Sequence, residues 1–210
     1  MARQPIKKTL TLINGQLADI NVENRAKRKY PRAKSPKSTK ARKLFFNVHL
    51  ITDRTMKIAI FPGSFDPFTV GHASIVERGL PMFDRIVIGV GLNENKRSLY
   101  TPQQRVEAIA SLYADEPRVK VVGYDDLTID LARREGAQFI LRGLRSVKDF
   151  EYERDIASMN SHLGGVETVL LFTEARYSHI SSSVVRELIA FGKDVSEFLP
   201  KGVVIPNQKS

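Results

Sequence analysis

The chain has 210 residues, 42% of them hydrophobic, and a formal net charge of +10 at neutral pH. This composition suits one sizeable hydrophobic core, and no run reaches the roughly 18 apolar residues that a membrane-spanning helix needs. The absence of cysteine excludes disulfides, thiolate metal sites and a cysteine nucleophile, so we expect a cytoplasmic protein with no membrane partner.

Most of the excess positive charge lies near the amino terminus. Residues 1–55 contain 14 Lys or Arg and three Asp or Glu, whereas residues 56–210 contain 19 and 20. Because the basicity belongs to one segment, it is no argument for nucleic-acid binding by the rest of the chain. We therefore predict a basic extension over 1–55 and one folded domain over 56–210.

The central part of the extension lacks apolar periodicity and contains many like charges, in the sequence RAKRKYPRAKSPKSTKARK at 25–43. Such a segment cannot bury enough apolar surface to offset its ordering entropy, so we expect the extension to be disordered when free. Three interpretations are open: a basic arm that binds nucleic acid, an organelle-targeting leader, or a non-native leader before a start at Met56. Strand-like sequence follows Met56 directly, which favours the last.

From residue 56 onward, apolar runs typical of strands alternate with stretches of helical spacing. The pattern predicts five strands, at 57–61, 85–92, 119–123, 138–143 and 167–173. A helix is predicted after each of them. In chain order these helices begin at Gly71, begin with Thr101 as N-cap and Pro102 as the first helical residue, end at a Gly136 cap, extend over 147–163 and end at Gly192. This alternation predicts an α/β fold: a doubly wound, Rossmann-like, five-stranded parallel sheet with helices on both faces.

In such folds the ligand binds at the carboxyl ends of the strands, which makes the loop GSFDPFTVGH after the first strand informative. Gly71 and His72 fall where a helix begins, so unpaired main-chain N–H groups point at the predicted crevice. A histidine there either caps the helix or donates a ring N–H to an oxygen on which charge develops. The Thr-x-Gly-His spacing directly after a first strand favours the donor.

Other groups suited to phosphate follow the later strands. Arg142 and Arg145 lie beyond the fourth strand, and Lys96 follows the second. The serines of ISSSVVRE supply more hydroxyls than one N-cap needs. Each feature alone is as typical of a solvated surface, but together they indicate a site that stabilises phosphoryl charge with positioned donors. A Walker A motif is absent from the sequence.

The segments GSFDPFTVGH, RGLRSVKDFEYE and YSHISSSVVRE, in this order, closely resemble those of the bacterial phosphopantetheine adenylyltransferase family. That family belongs to the nucleotidyltransferase superfamily marked by Thr/His-x-Gly-His, and the arginine block is its more specific feature. The resemblance covers the chain from about Met56 onward. It implies a homohexamer that transfers AMP from ATP to 4′-phosphopantetheine, using Mg2+ held by the phosphates without a direct protein ligand.

The resemblance also implies roles for individual residues. His72 would stabilise the transition state, with Lys96 as a second catalytic residue. The acceptor would be bound by Lys96, Arg142, Ser64 and Thr128. ATP would contact a larger set, namely Ser64, Phe65, His72, Gly143, Leu144, Arg145, Glu153, Tyr177, Ser178, His179, Ile180, Ser181, Ser182 and Ser183.

This sequence departs from common forms of the family at three of those positions. Ser64 replaces a common Thr and keeps the hydroxyl, and Tyr177 stands where Trp is frequent and keeps an aromatic face. Thr128 is more polar than the usual residue at its position.

Two other functions compete with this one. Another nucleotidyltransferase of the superfamily, acting for example on nicotinate mononucleotide, would share Gly71-His72 and the serines but lack the full arginine block. A nucleic-acid-binding protein acting through residues 25–43 is the alternative from another class. Binding to DNA or RNA with and without residues 1–55, with its salt dependence, would separate it.

Overall fold

The computed structural model describes residues 9–13, 16–20, 55–92 and 98–203. The chain divides into two compact units, Met1–Arg54 and Thr55–Ser210. Residues 25–43, for which the sequence predicts disorder, lie outside the described residues. Among the described ranges, no helix combines the length and apolar composition that a bilayer crossing requires.

In the first unit, strands β1 (Thr9–Ile13) and β2 (Gln16–Ile20) pair antiparallel. This hairpin differs from the disorder expected of the extension. The sequence does carry a signal for it, because Leu10 and Leu12 alternate with threonines and Asn14-Gly15 is the dipeptide most favoured in two-residue hairpin turns.

The described part of the second unit is built on a five-stranded parallel sheet. Its strands are β3 (Ile58–Gly63), β4 (Arg85–Gly91), β5 (Val119–Tyr124), β6 (Phe139–Leu144) and β7 (Glu167–Phe172). They lie in the order β5-β4-β3-β6-β7. The predicted doubly wound α/β fold is confirmed, and its order reverses between β3 and β6, where ligands bind in such sheets.

The connecting helices follow the strands as the pattern predicts. They are α1 (Val70–Gly79), α2 (Pro102–Leu112), α3 (Thr128–Glu135), α4 (Val147–Gly164) and α5 (Ser182–Ala190), with 3-10 turns at Ala175–Tyr177 and Ser196–Phe198. At the start of α2, Thr101 accepts from the N–H of Gln104, whose side chain accepts from the N–H of Thr101 in return. At the end of α3, Gly136 caps in the left-handed region at φ 65.

Core side chains cover both faces of the sheet. Along β3 and β4, Phe61 and Ile88 pack in one cluster with α1, whereas Ile60 and Val87 pack in another with Leu131 of α3. Because successive strand residues point to opposite faces, both faces need apolar residues. This explains why the central strands are apolar throughout.

Helix α4 is the exception to this pattern. The sequence spacing of Ile156, Met159 and Leu163 places them on one face, yet all three are exposed in the single chain, and the one buried residue of the helix is Glu153. A row of exposed large apolar side chains is typical of a surface that another molecule covers.

Candidate active site

Two adjoining cavities open at the carboxyl ends of β3 and β6. The smaller cavity has a volume of about 620 Å³ and the larger cavity one of about 910 Å³. Both are lined by Pro62, Gly63, Ser64, Arg142 and Glu153. They therefore meet at the switch point of the sheet, where two ligands can be held side by side.

His72 lines the smaller cavity from the first turn of α1. The main-chain N–H of Thr69 donates to its Nδ1 over 3.0 Å, and Thr69 Oγ1 lies 3.1 Å from the same nitrogen. An Nδ1 that accepts a hydrogen bond places the proton of a neutral imidazole on Nε2. Capping and donation, the two roles considered from the sequence, are thus compatible because they use different ring nitrogens.

Three phenylalanines surround this imidazole. The ring centroids of Phe65, Phe68 and Phe61 lie 5.1, 5.4 and 6.3 Å from that of His72. Burial lowers the pKa of His72 to about 4, assisted by the positive charges of Arg145 and then Arg142. The ring is therefore neutral at physiological pH and can act as an uncharged hydrogen-bond donor.

Phe65 is buried and has a φ of 48, a left-handed conformation that is uncommon for residues with a side chain. Its ring lies over Gly63, where an added Cβ would fall 2.7 Å from the ring. Glycine is therefore required beneath it. The ring packs against Gly63 on one side and lies edge-on to the imidazole of His72.

The serines at the start of α5 have separate partners. Ser181 caps the helix by accepting from an N–H of the first turn at 3.2 Å. Ser182 donates to the carbonyl of Pro67 at 2.9 Å, and Ser183 accepts from Arg186 at 3.1 Å. Ser182 therefore joins α5 to the first loop, while Ser183 holds Arg186, which itself donates to the carbonyl of Asp66 at 2.7 Å. All three serines line the smaller cavity, at a helix start of the kind that binds anions.

Arg142 lies between the two cavities and is held by two elements. Its Nε and Nη2 donate to the two carboxylate oxygens of Glu153 at 2.8 and 2.5 Å, and its Nη1 donates to the carbonyl of Pro62 at 2.6 Å. This forked pair with a buried carboxylate fixes the plane of the guanidinium. Each terminal nitrogen of the guanidinium carries a second N–H, and these groups stay available to a ligand.

The carboxylates that line the smaller cavity already accept hydrogen bonds from the protein. Asp66 accepts from two main-chain N–H groups, Asp149 accepts from Arg145 at 3.2 Å, and Glu153 accepts from Arg142. The described residues include no group of three or more His, Cys, Asp or Glu that could hold a metal ion. The cavity thus offers donors and positive charge to a ligand.

The larger cavity is lined by Thr128, which the resemblance assigns to acceptor binding, and by residues of α4 that the sequence analysis did not include. Those of α4 are Tyr152, Ile156 and Asn160. Their spacing of four residues places them on one face of the helix. This four-residue spacing is the sequence signal from which these three residues could have been predicted to share one face.

Most of the predicted nucleotide residues line the smaller cavity, namely Ser64, Phe65, His72, Gly143, Arg145, Glu153, Ile180, Ser181, Ser182 and Ser183. Leu144 is buried and lines neither cavity, and Ser178 and His179 also lie outside both linings. Tyr177 lies outside them too, with the guanidinium of Arg176 4.6 Å from its ring centroid. Lys96 lies outside the described residues.

The arrangement as a whole suits transfer between two ligands that meet at Arg142 and Ser64. Donors fixed before a ligand arrives can stabilise charge that develops on a phosphoryl group, because they need no reorganisation during the reaction. In phosphoryl transfer, positioning and charge stabilisation supply most of the catalysis.

Comparison with known proteins agrees with this chemistry. Residues 60–188 match the Cytidylyltransferase-like family model. The chain is 59% identical to a phosphopantetheine adenylyltransferase from Phocaeicola vulgatus over 150 residues, which are 71% of this chain and 99% of that protein. A phosphopantetheine adenylyltransferase from Bacteroides fragilis is 57% identical over 148 residues, 70% of this chain and 99% of that one.

The fold also has solved structural neighbours. A bifunctional NMN adenylyltransferase/ADP ribose pyrophosphatase from Francisella tularensis, complexed with AMP and a manganese ion, superposes with a TM-score of 0.54 at 14% identity. The match covers 69% of this chain and 44% of that one. At this identity the likeness concerns the fold alone.

Proposed function

Because this chain belongs to the phosphopantetheine adenylyltransferase family, we propose that its smaller cavity binds ATP and its larger cavity binds 4′-phosphopantetheine. The enzyme transfers the adenylyl group of ATP to 4′-phosphopantetheine, giving dephospho-coenzyme A and pyrophosphate in coenzyme A biosynthesis. One observation carries the assignment of the cavities: they share Ser64 and Arg142, so the reacting phosphates can meet there.

His72 acts in this proposal as the donor to the α-phosphate. Its neutral ring carries the proton on Nε2, as the hydrogen bond to Nδ1 requires. In the transition state the non-bridging oxygens of the α-phosphate gain charge, and a donor already in place stabilises that charge. The acceptor phosphate is itself anionic, so the chain does not have to supply a base.

On the acceptor side, Arg142 and Lys96 bind the phosphate of 4′-phosphopantetheine, with the hydroxyls of Ser64 and Thr128 nearby. The support is geometric for Arg142, which lies between the cavities with N–H groups left for a ligand. The long, mostly uncharged tail then runs along the wall formed by Tyr152 and Ile156.

On the nucleotide side, Arg145 and Ser181–Ser183 contact the phosphates, while Phe65, Gly143 and Leu144 contribute main-chain groups. Glu153 contacts ATP from the wall of the smaller cavity and also holds Arg142 between the two ligands. Tyr177, Ser178 and His179 reach ATP only if the segment before α5 closes over the base. The side chains of Tyr177 and Ile180 already pack in one cluster with Val185 of α5.

Magnesium enters as part of the MgATP substrate. The carboxylates lining the smaller cavity are each occupied by protein donors, which favours a metal held by the phosphates. The ion neutralises charge on the transferred nucleotide when bound.

The enzyme assembles as a homohexamer and works in the cytoplasm in this proposal. The exposed apolar side chains on α4 support an assembly, because Ile156, Met159 and Leu163 would be covered by a second copy. Light scattering on the purified protein measures the mass. A monomeric mass at micromolar concentration would contradict it.

The function is tested by pyrophosphate release from ATP with a panel of acceptors. We expect magnesium-dependent release with 4′-phosphopantetheine, and little with pantetheine, which lacks the phosphate, or with nicotinate mononucleotide. Equal turnover with nicotinate mononucleotide would contradict the assignment of 4′-phosphopantetheine as the acceptor, but it would leave the assignment to the nucleotidyltransferase superfamily intact.

Residues 1–55 are proposed to be dispensable for this activity. The sheet, the helices and both cavities lie in the second unit, Thr55–Ser210. A chain beginning at Met56 is expected to fold with an unchanged unfolding midpoint and an unchanged kcat. Thermal unfolding and pyrophosphate release check this, and loss of most of the turnover would show that the segment is structural. Weaker DNA binding by the shorter chain, with a steep salt dependence, would instead favour the basic-arm interpretation.

A further inference from the structure

Arg105 lies behind the cavities and lines neither of them. Although it is charged, it is only 3% exposed. Its Nη1 donates to the main-chain carbonyl of Ser64 and, at 3.2 Å, to that of Gly91. Ser64 and Gly91 are the residues that directly follow Gly63 and Val90, and Gly63 and Val90 face each other in the pairing of β3 with β4. One nitrogen of Arg105 therefore joins the carboxyl ends of two neighbouring strands.

Asp66 ties the same loop to the chain that follows β4. Its carboxylate is 4% exposed and accepts from the N–H groups of Leu99 and Tyr100 at 2.8 and 3.0 Å. Burial lowers the pKa of Arg105, and the negative charge of Asp66 partly offsets that effect. The two buried charges thus compensate each other while each binds a different piece of main chain.

A buried arginine is expensive to desolvate, so its position needs a reason. An apolar side chain would fill the same space behind β3 and β4, but it would leave the carbonyls of Ser64 and Gly91 without this donor. Both of these residues line a cavity, and Ser64 lines both. Arg105 therefore fixes the orientation of the peptide groups of Ser64 and Gly91 at the edge of the cavities.

We propose that Arg105 is a positioning residue for adenylyl transfer. It holds the peptide of Ser64, and with it the first N–H groups of the loop, in the geometry that the transition state needs. A misplacement of about 1 Å in such a group can lower the rate about 10²-fold while binding adjusts. This inference rests on the proposed function of the smaller cavity.

The test compares Arg105→Lys and Arg105→Met with the wild type. We expect kcat to fall about 10-fold in Arg105→Lys, which keeps the charge, and about 10²-fold in Arg105→Met. The KM values for ATP and 4′-phosphopantetheine should stay within about threefold, because the ligand-contacting side chains are intact. The control is Arg133→Lys, since Arg133 also donates to a main-chain carbonyl, that of Leu163 at 3.0 Å, but lines neither cavity. Its kcat should be unchanged.

A purely structural role predicts a different result, in which the unfolding midpoint falls but kcat per folded molecule does not. That result in both Arg105 variants would overturn the proposal. If Arg105→Met does not fold, Arg105→Gln serves as the second variant, and it should show the same loss confined to kcat.

A readout independent of turnover separates this inference from the proposed function. Hydrogen exchange at residues 64–66 should be faster in Arg105→Lys than in Arg133→Lys, with and without MgATP. Equal exchange in the two variants would overturn the positioning role even if the wild type proved inactive with 4′-phosphopantetheine. An inactive wild type with the expected exchange difference would contradict only the substrate.

Discussion

His72→Ala is expected to lower kcat by about 10²-fold or more, on the scale of losing one oxyanion donor. In the proposed mechanism its Nε2–H donates to charge that is present only in the transition state, so ATP binding should weaken much less. Steady-state pyrophosphate release gives kcat, and equilibrium binding gives the ATP affinity.

The control for this variant has to match its loss of capping. His72 accepts from the N–H of Thr69, and Gln104 accepts from the N–H of Thr101 in the same arrangement at the start of α2. Gln104→Ala should therefore lose the capping contribution of about 1 kcal/mol, and His72→Ala should lose that contribution and the packing of its ring against Phe65, Phe68 and Phe61. Only His72→Ala should lose turnover. Near-normal turnover would reduce His72 to a cap, and a loss confined to ATP affinity would make it a binding residue alone.

Arg142→Gln is expected to raise the KM for 4′-phosphopantetheine by roughly 10- to 100-fold, the size of a lost hydrogen bond between charged groups. The KM for ATP should change less, because the acceptor phosphate meets Arg142 directly in the proposed complex. Initial rates with each substrate varied in turn measure both values.

The same substitution leaves the buried carboxylate of Glu153 without its partner. An unpaired buried charge destabilises a protein by roughly 3–5 kcal/mol, which could weaken binding indirectly. The double variant Arg142→Gln/Glu153→Gln replaces the ion pair with a neutral one of similar shape. We expect it to regain stability but not acceptor affinity. Recovery of the affinity would show that the unpaired carboxylate, not the lost guanidinium, caused the defect.

The fold of the second unit could be predicted because its central strands are buried on both faces. Ile60 and Val87 face one layer of helices, while Phe61 and Ile88 face the other, so the apolar runs are unambiguous. The outward apolar face of α4 could not be predicted in the same way. Periodicity places Ile156, Met159 and Leu163 on one side of a helix, but it does not say whether that side meets the protein's own core.

The candidate site was predictable where its residues lie at the carboxyl ends of strands or in the loops that leave them. Arg142 lies near the end of β6, the Gly71-His72 helix start follows the loop after β3, and parallel strands bring such positions to one edge. Residues that act from behind this edge carry no comparable signal, since Arg105 is an ordinary helix position in the sequence. A sequence motif also does not show whether a residue faces the site with its side chain or with its main chain. Leu144 and Phe65 lie in the expected segments, but their side chains are buried.

The neutral imidazole of His72 also links acidity to folding. In the unfolded chain this ring takes up a proton near pH 6.5, whereas in the folded protein its pKa is about 4. Unfolding therefore binds a proton between these values, and the free energy of unfolding falls as the pH is lowered through that window. Above pH 6.5 both states are neutral at this position and the contribution disappears. Denaturant titrations at both ends of the window should show a weaker pH dependence in His72→Ala. This part of the acid sensitivity is thus a consequence of burying an uncharged imidazole in the wall of the smaller cavity.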